Sequence, residues 1–146
     1  MVRVEANTIV KLPVEEVFKS AGDPEIHLQW ETSTVKLDKL STGPMGKGTK
    51  HRGDVKFLGQ IINWESEVAN YIPRSKVEYN IAAGSMKFKE VWNFEEVEKN
   101  TKVTFIFEGN LQGLLRLISP IAVREWQKQA NKDLATMKDI LEAKRG

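Results

Sequence analysis

The sequence predicts one α+β domain, 1–146, in which a curved antiparallel sheet of six to seven strands wraps around a long C-terminal helix. Three observations predict this class: about seventy residues in which apolar and polar side chains alternate, two short helical segments after the first strand, and one long amphipathic segment at the C-terminus. A length of 146 residues suits a single hydrophobic core.

The N-terminal part of the chain predicts a strand and two short helices. Residues 1–10 alternate with a period of two, which is typical of a half-buried strand. Pro13 can begin a helix because its missing N–H is not needed in the first turn, so a short helix is predicted over about 13–21. Asp23 then offers an N-cap and Pro24 a first helical position, and the second short helix is predicted to run to about Trp30.

The middle of the chain predicts the rest of the sheet. Further strands are predicted over 34–40, 49–57, 60–71, 76–82, 85–95 and 101–111. Short turns join most of them, which indicates an antiparallel meander with one covered face and one exposed face. The glycine-rich segment 41–48 is interpreted as a turn or loop, because its glycine spacing is too short for a phosphate-binding loop.

The C-terminal segment predicts a helix over 121–144, which would be about 36 Å long and could cross the whole sheet. Its apolar residues recur at steps of three and four and are Val123, Trp126, Ala130, Leu134, Met137 and Leu141. Asp133 is assigned to another face of this helix, with the neighbouring lysines.

The segment 111–123 that leads into the helix is unusually apolar. One interpretation is an early helical piece packed on the sheet; a gate over a pocket, a dimer surface and transient membrane contact are the alternatives. Pro120 lies either in the first turn of the long helix or at a kink after an earlier helical piece.

Composition excludes several classes of function. The formal net charge is only +2, so no electrostatic footprint for nucleic acid is present. No apolar stretch is long enough for stable membrane insertion, and the N-terminus does not resemble a secretory signal. The absence of cysteine favours a cytoplasmic location. With no cysteine and only 2 histidines, far apart in sequence, neither a metal site nor a cofactor is predicted.

Two inward-facing residues interrupt the apolar pattern and are the candidates for catalysis. Glu90 lies between Phe88 and Trp92, where an ionised carboxylate is costly. It is either paired or at a solvated strand end, or its pKa is raised so that it can anchor a ligand or act as a general acid. His51 shares an inner face with Gly53 and is either a satisfied wall residue or an acid, base or ligand anchor.

The aromatic residues are either ordinary core or the lining of a pocket. One helix cannot fill a strongly curved sheet, so a cavity should remain, and ligand pockets of roughly 300–1,000 Å³ are the usual outcome. Tyr79 and Glu90 are expected to be its polar anchors. The predicted ligand-binding residues are Trp30, His51, Val55, Trp64, Tyr79, Phe88, Glu90, Trp92, Phe105, Phe107, Trp126 and Ala130.

This order of elements resembles the START-like (SRPBCC) helix-grip superfamily, and within it the polyketide cyclase/dehydrase and lipid-transport branch. The segments that carry the resemblance are 11–18, 22–25 with Trp30, 68–74, 92–94, 101–104 and 113–120. The resemblance covers nearly the whole chain and implies a helix-grip fold with a pocket between the sheet and the C-terminal helix. It does not imply a reaction, because superfamily members include carriers, enzymes and regulatory modules.

The function expected from the resemblance is binding of a small hydrophobic ligand such as a lipid, an isoprenoid or an aromatic compound, with transport as one use of that binding. One alternative is a polyketide cyclase/dehydrase-like enzyme that uses Glu90 or His51 as general acid or base. Another is a protein-interaction module that uses segment 111–123. The chain is expected to be a monomer or a weak homodimer.

Overall fold

The structure, a computed structural model, describes residues 1–27, 30, 31 and 33–145, with Leu114 and Arg145 described as backbone only. Its elements in chain order are β1 (Val2–Val10), α1 (Val14–Ala21), α2 (Pro24–His27), β2 (Thr34–Lys39), β3 (Lys50–Phe57), β4 (Gln60–Ile72), β5 (Lys76–Ala83), β6 (Met86–Val97), β7 (Asn100–Gly109), α3 (Leu114–Leu117) and α4 (Ser119–Arg145). Positions 28 and 29 of the predicted second helix lie outside the described residues.

The strands form one seven-stranded sheet in the order β1-β7-β6-β5-β4-β3-β2, with antiparallel pairing throughout. The predicted α+β helix-grip class is therefore confirmed. Alternation of side chains determines the covered face. In β1, for example, Val4, Ala6 and Val10 are buried whereas Glu5 and Asn7 are exposed. This face turns towards α4 and the two short N-terminal helices.

Two of the hairpins are closed by two-residue turns of the same kind. Leu58 and Gly59 join β3 to β4 with φ values of 50° and 78°, and Glu98 and Lys99 join β6 to β7 with φ values of 51° and 70°. Left-handed backbone at both positions is typical of a type I′ turn, whose twist matches that of the flanking strands. These turns fix the register that places the inward-facing residues of neighbouring strands opposite one another.

Helix α4 begins at Ser119, two residues earlier than predicted, and Pro120 lies in its first turn after the short helix α3. Among the strands, β1 at the sheet edge has the most extensive backbone contact with α4. The buried residues of α4 are Ala122, Ala130, Leu134, Met137 and Leu141, which follow the predicted stripe except at its start. Val123 and Trp126 are only half-buried.

The apolar segment 111–123 does not pack uniformly on the sheet. Leu111 and Ala122 are buried, whereas Leu117 is 80% exposed and Ile121 is 53% exposed. Gly113 has a φ of 61°, a left-handed conformation that separates β7 from α3. Packing on the sheet is thus limited to part of the segment, and Leu117 and Ile121 face outwards.

Candidate functional site

A cavity of about 200 Å³ lies between the inner face of the sheet and α4. It is smaller than the predicted range of roughly 300–1,000 Å³. Nine of the predicted ligand-binding residues line it: Val55, Trp64, Tyr79, Phe88, Glu90, Phe105, Phe107, Trp126 and Ala130. The cavity therefore lies between the sheet and the C-terminal helix, as expected, but its volume is smaller than the predicted range.

One end of the cavity is a cluster of aromatic rings, which we call the aromatic end: Phe57, Phe88, Phe107 and Trp126. Phe57 stacks on Trp126 with ring centroids 4.6 Å apart, and Phe88 stacks on Phe107 at 4.9 Å. Trp126 joins the two pairs, because its ring lies 5.5 Å from Phe107 and 6.0 Å from Phe88. Such pairs contribute beyond the burial of their area and hold this end of the wall in shape.

Two glycines make room for cavity-lining aromatic rings. A Cβ atom at Gly53 would lie 2.7 Å from Cζ2 of Trp64, and a Cβ atom at Gly109 would collide with the ring of Phe88. Trp64 and Phe88 can therefore lie flat across neighbouring strands only because these positions carry no side chain. A side chain at either glycine would also collide with a backbone carbonyl of the neighbouring strand, that of Lys36 or Lys87.

Glu90 lies on the inner face of β6 and lines the cavity. The indole Nε1 of Trp92 donates a hydrogen bond to its carboxylate at 3.0 Å. Burial raises the pKa of Glu90 to about 7, and the nearby charge of Glu31 acts in the same direction against the hydrogen bond from Trp92. Glu90 can therefore exchange a proton near neutral pH.

Two more carboxyl groups, Asp133 and Glu31, face the same cavity. Gln129 donates a hydrogen bond to Asp133 at 2.7 Å, and the hydroxyl of Thr34 donates one to Glu31 at 2.7 Å. Burial raises the pKa of Asp133 to about 6, with a further contribution from the charge of Glu31. Asp133 was assigned to a face of the helix other than the apolar stripe. It lines the cavity instead, together with Ala130 of the same helix.

Tyr79 lines the cavity, but its hydroxyl already has a hydrogen-bond partner. It donates a hydrogen bond to the backbone carbonyl of Gly22 at 3.2 Å. Burial raises the pKa of Tyr79 well above its usual range, so the phenol stays protonated. The ring of Tyr79 therefore contributes wall area and ties β5 to the end of α1.

Trp30 and Trp92 do not line the cavity, contrary to prediction. Both rings pack on the buried imidazole of His27, with centroids 5.2 Å and 4.9 Å from it. The Nε2 atom of His27 lies 2.6 Å from the carbonyl oxygen of Ala21, and burial lowers its pKa. Helix α2 inserts His27 between the two tryptophans, which the periodicity of the strands could not reveal.

His51 is also outside the cavity lining. It is fully buried, and neither ring nitrogen has a hydrogen-bond partner among the described residues. Burial lowers its pKa, although the carboxylates of Asp23 and Glu25 oppose the shift. One donor atom from each of Asp23, Glu25 and His51 lies within 4.8 Å of the others. That the chain has no metal site stays a prediction.

The two candidate acid–base residues are thus separated: Glu90 contacts the cavity and His51 does not. The cavity residues that were not among the predicted ligand-binding residues include Glu31, Phe57, Gln129 and Asp133. For Asp133 a signal was present, because it follows Ala130 by three positions and Trp126 by seven, the spacing of one helical face.

No described helix is both long and apolar enough to span a membrane.

A family model described as polyketide cyclase/dehydrase and lipid transport matches residues 1–142. A search of curated proteins gives no match. Among solved structures, the chain is similar to TTHA0849 from Thermus thermophilus, with a TM-score of 0.84 and 16% identity over 99% of each chain.

Two further structures show the same fold. The Zhui aromatase/cyclase from Streptomyces sp. R1128 has a TM-score of 0.76 at 18% identity, covering 99% of this chain and 95% of that one. The Aha1 dimer from Colwellia psychrerythraea has a TM-score of 0.64 at 21% identity, covering 100% of both chains. Because the family model spans almost the full length, the chain belongs to the polyketide cyclase/dehydrase and lipid transport family.

Proposed function

We propose that the protein binds one small, mainly hydrophobic molecule in the cavity between the sheet and α4. The observation that carries this proposal is a cavity of about 200 Å³ with an aromatic end and a few polar side chains. Burial of apolar surface would supply the affinity, at roughly 25 cal/mol per Å² before the costs of association. The family description, which names lipid transport, supports the same class of function.

The volume favours a compact ligand. An engineered apolar cavity of about 150 Å³ binds benzene, so a cavity of about 200 Å³ is on the scale of one or two rings. A ligand with one or two rings, or a short branched chain, fits this space better than a two-chain lipid does. Transport would follow if the bound molecule can be released to an acceptor, which exchange with vesicles would measure.

The test is isothermal titration calorimetry with naphthylmethanol, a neutral two-ring probe, on the wild type and on two variants of α4. Ala130→Leu adds volume at a buried cavity position, whereas Ala135→Leu makes the same change at an exposed position of the same helix. We expect Ala130→Leu to weaken binding by about tenfold or more and Ala135→Leu to leave it unchanged.

Thermal unfolding of each variant separates loss of the cavity from loss of the fold. Equal binding by the wild type and a folded Ala130→Leu variant would contradict the proposed location. Native mass spectrometry of freshly purified protein adds an independent readout, because a stoichiometric hydrophobic adduct would identify the chemical class that the cavity retains.

Acid–base catalysis on a bound carbonyl compound is the second candidate function, and one observation favours it. Glu90 lines the cavity with a pKa raised to about 7, which suits a general acid or base near neutral pH. Glu90→Gln should then abolish turnover and leave binding intact, and the wild-type rate should change with pH near 7. A Glu90→Gln variant with full activity would refute this role.

A further inference from the structure

The charged groups on the cavity wall are all of one sign. Glu31, Glu90 and Asp133 come from three separate segments of the chain and all line the cavity. No lysine or arginine is present among the described lining residues. The hydrogen-bond donors that these carboxyls meet, an indole, an amide and a hydroxyl, are uncharged. The wall can therefore become negative without an internal cation to neutralise it.

The other titratable groups near this wall do not reverse its sign. The imidazole of His27 is buried against a backbone carbonyl and its pKa is lowered, which keeps it neutral at pH 7. The phenol of Tyr79 stays protonated and neutral. Lys132 is exposed on α4 and lowers the pKa of Asp133, but its effect is smaller than that of burial.

Because no lysine or arginine is among the described lining residues, the carboxyl groups of the wall limit their negative charge by remaining protonated. Burial and the charge of Glu31 raise the pKa of Glu90 to about 7 and that of Asp133 to about 6. Like charges in a low-dielectric site disfavour simultaneous ionisation, and an opposite charge nearby restores it. A cationic group in the cavity would therefore replace protons that the carboxyls otherwise hold, whereas an anionic ligand would meet repulsion.

Glu90 and Asp133 lie beside the aromatic end, each displaced from one of its rings along the same element. On β6, Phe88 precedes Glu90 by one inward-facing position, and on α4, Trp126 precedes Asp133 by about two turns. The rings of Phe88 and Trp126 are 6.0 Å apart, so both displacements point towards the same aromatic end. Because Phe107 is the cross-strand partner of Glu90, the acidic part of the wall begins directly beside the aromatic end.

We infer that the ligand is a protonated amine on a compact apolar body, with its ammonium group among Glu31, Glu90 and Asp133 and its body against the aromatic end. This inference rests on the proposed binding function and narrows its ligand class. Ammonium groups form charge-assisted hydrogen bonds to carboxylates, and aromatic faces attract cations as well as apolar groups. Fatty acids and other carboxylates are disfavoured by the same wall.

The experiment compares three ligands that share one ring system: naphthylmethylamine, naphthylmethanol and naphthoic acid. Their dissociation constants are measured by isothermal titration calorimetry at pH 8 and pH 5.5. At pH 8 we expect the amine to bind about tenfold more tightly than the alcohol, as charge-assisted hydrogen bonds imply, and the acid to bind least. At pH 5.5 the advantage of the amine should shrink, because Glu90 and Asp133 are then mostly protonated.

Two variants test whether the carboxyl groups of the cavity wall cause the preference for the amine. The double variant Glu90→Gln/Asp133→Asn keeps the shape of both side chains and should remove the preference for the amine over the alcohol. Asp139→Asn on the exposed face of α4 is the matched control and should keep the preference. Thermal unfolding confirms that each variant is folded.

The outcomes distinguish the two proposals. If the alcohol or the acid binds as tightly as the amine at pH 8, the amine inference is overturned and the binding function stands. If the amine preference persists in the folded double variant, the wall is not its source and the inference also falls. If none of the three ligands binds, both proposals are refuted for compounds of this size.

Discussion

The pKa of Glu90 depends on a hydrogen bond from one neighbour, Trp92. Its carboxylate accepts a hydrogen bond from Trp92, and that bond opposes the rise in pKa caused by burial. We therefore expect Trp92→Phe to raise the pKa of Glu90 above its value of about 7. The carboxyl carbon of Glu90 can be followed by NMR titration of both proteins. A wild-type pKa near 4.5, the ordinary value, would show that Glu90 is solvated instead.

His51 poses a different problem at the same scale, since both ring nitrogens are buried without a hydrogen-bond partner among the described residues. An apolar side chain of similar size avoids that desolvation cost, which is about 1–3 kcal/mol for an unsatisfied buried group. We expect His51→Leu to unfold at a free energy equal to or above that of the wild type, and His51→Ala to lose about 2 kcal/mol or more through the cavity it creates. Urea denaturation at pH 7.5 measures both. A strongly destabilised His51→Leu would contradict this expectation and would point to a favourable interaction of the imidazole with the nearby carboxylates of Asp23 and Glu25.

At the scale of elements, α4 is held to the sheet at two distinct places. Its C-terminal half buries Leu134, Met137 and Leu141 in the main core, whereas its N-terminal half contributes Trp126 to the aromatic end of the cavity. The first half of the helix therefore serves both packing and the cavity wall. Stability and binding should be linked there.

Trp126→Ala tests that link. The substitution removes ring contacts with Phe57, Phe88 and Phe107, so we expect a loss of about 3 kcal/mol in the free energy of unfolding and a weaker affinity for naphthylmethanol. Lys128→Ala, at an exposed position on the same helix, should change neither quantity. Lost binding with unchanged stability would show that Trp126 belongs to the site alone and does not anchor the helix.

The strands could be predicted because their pattern is local. Alternation along β6 and β7 places four residues on one face, independently of the tertiary structure: Phe88, Glu90, Phe105 and Phe107. What the pattern could not say is which inward side chains meet a void and which meet another side chain. Trp92 is covered because α2, an element far earlier in the chain, supplies the ring of His27.

The helical part of the site was harder to predict for a related reason. Asp133 has the pattern of a surface residue beside lysines, because charged residues on a helix usually face solvent. It faces the cavity because α4 lies along β1 at the sheet edge, so that part of the inner sheet face stays uncovered by its backbone. The spacing of Asp133 from Ala130 and Trp126 places it beside the apolar stripe, but the position of the helix across the sheet, a tertiary property, decides whether it meets a cavity or solvent.

For the whole molecule, two buried histidines and two half-buried carboxyl groups respond to pH in opposite directions. His27 and His51 have lowered pKa values, so their contribution to stability is full above the unfolded pKa of about 6.5 and is lost as pH falls below it. Glu90 and Asp133 have raised pKa values, so the folded state keeps protons that the unfolded state releases. Their ionisation makes the protein less stable as pH rises towards about 7.

These opposing effects predict a shallow pH dependence of wild-type stability between pH 5 and pH 7.5, and a steep one once one set is removed. In Glu90→Gln/Asp133→Asn the carboxyl contribution is gone, so the free energy of unfolding should rise clearly with pH over this window as the histidines of the unfolded state lose their protons. The free energy of unfolding of the double variant should also exceed that of the wild type at pH 7.5, because the cost of ionising two half-buried carboxyls is removed. Urea denaturation at half-unit pH steps measures both curves, with Asp139→Asn expected to follow the wild type. Parallel curves for the wild type and the double variant would mean that Glu90 and Asp133 titrate alike in the folded and unfolded states, and the acidic wall of the cavity would then be solvated rather than buried.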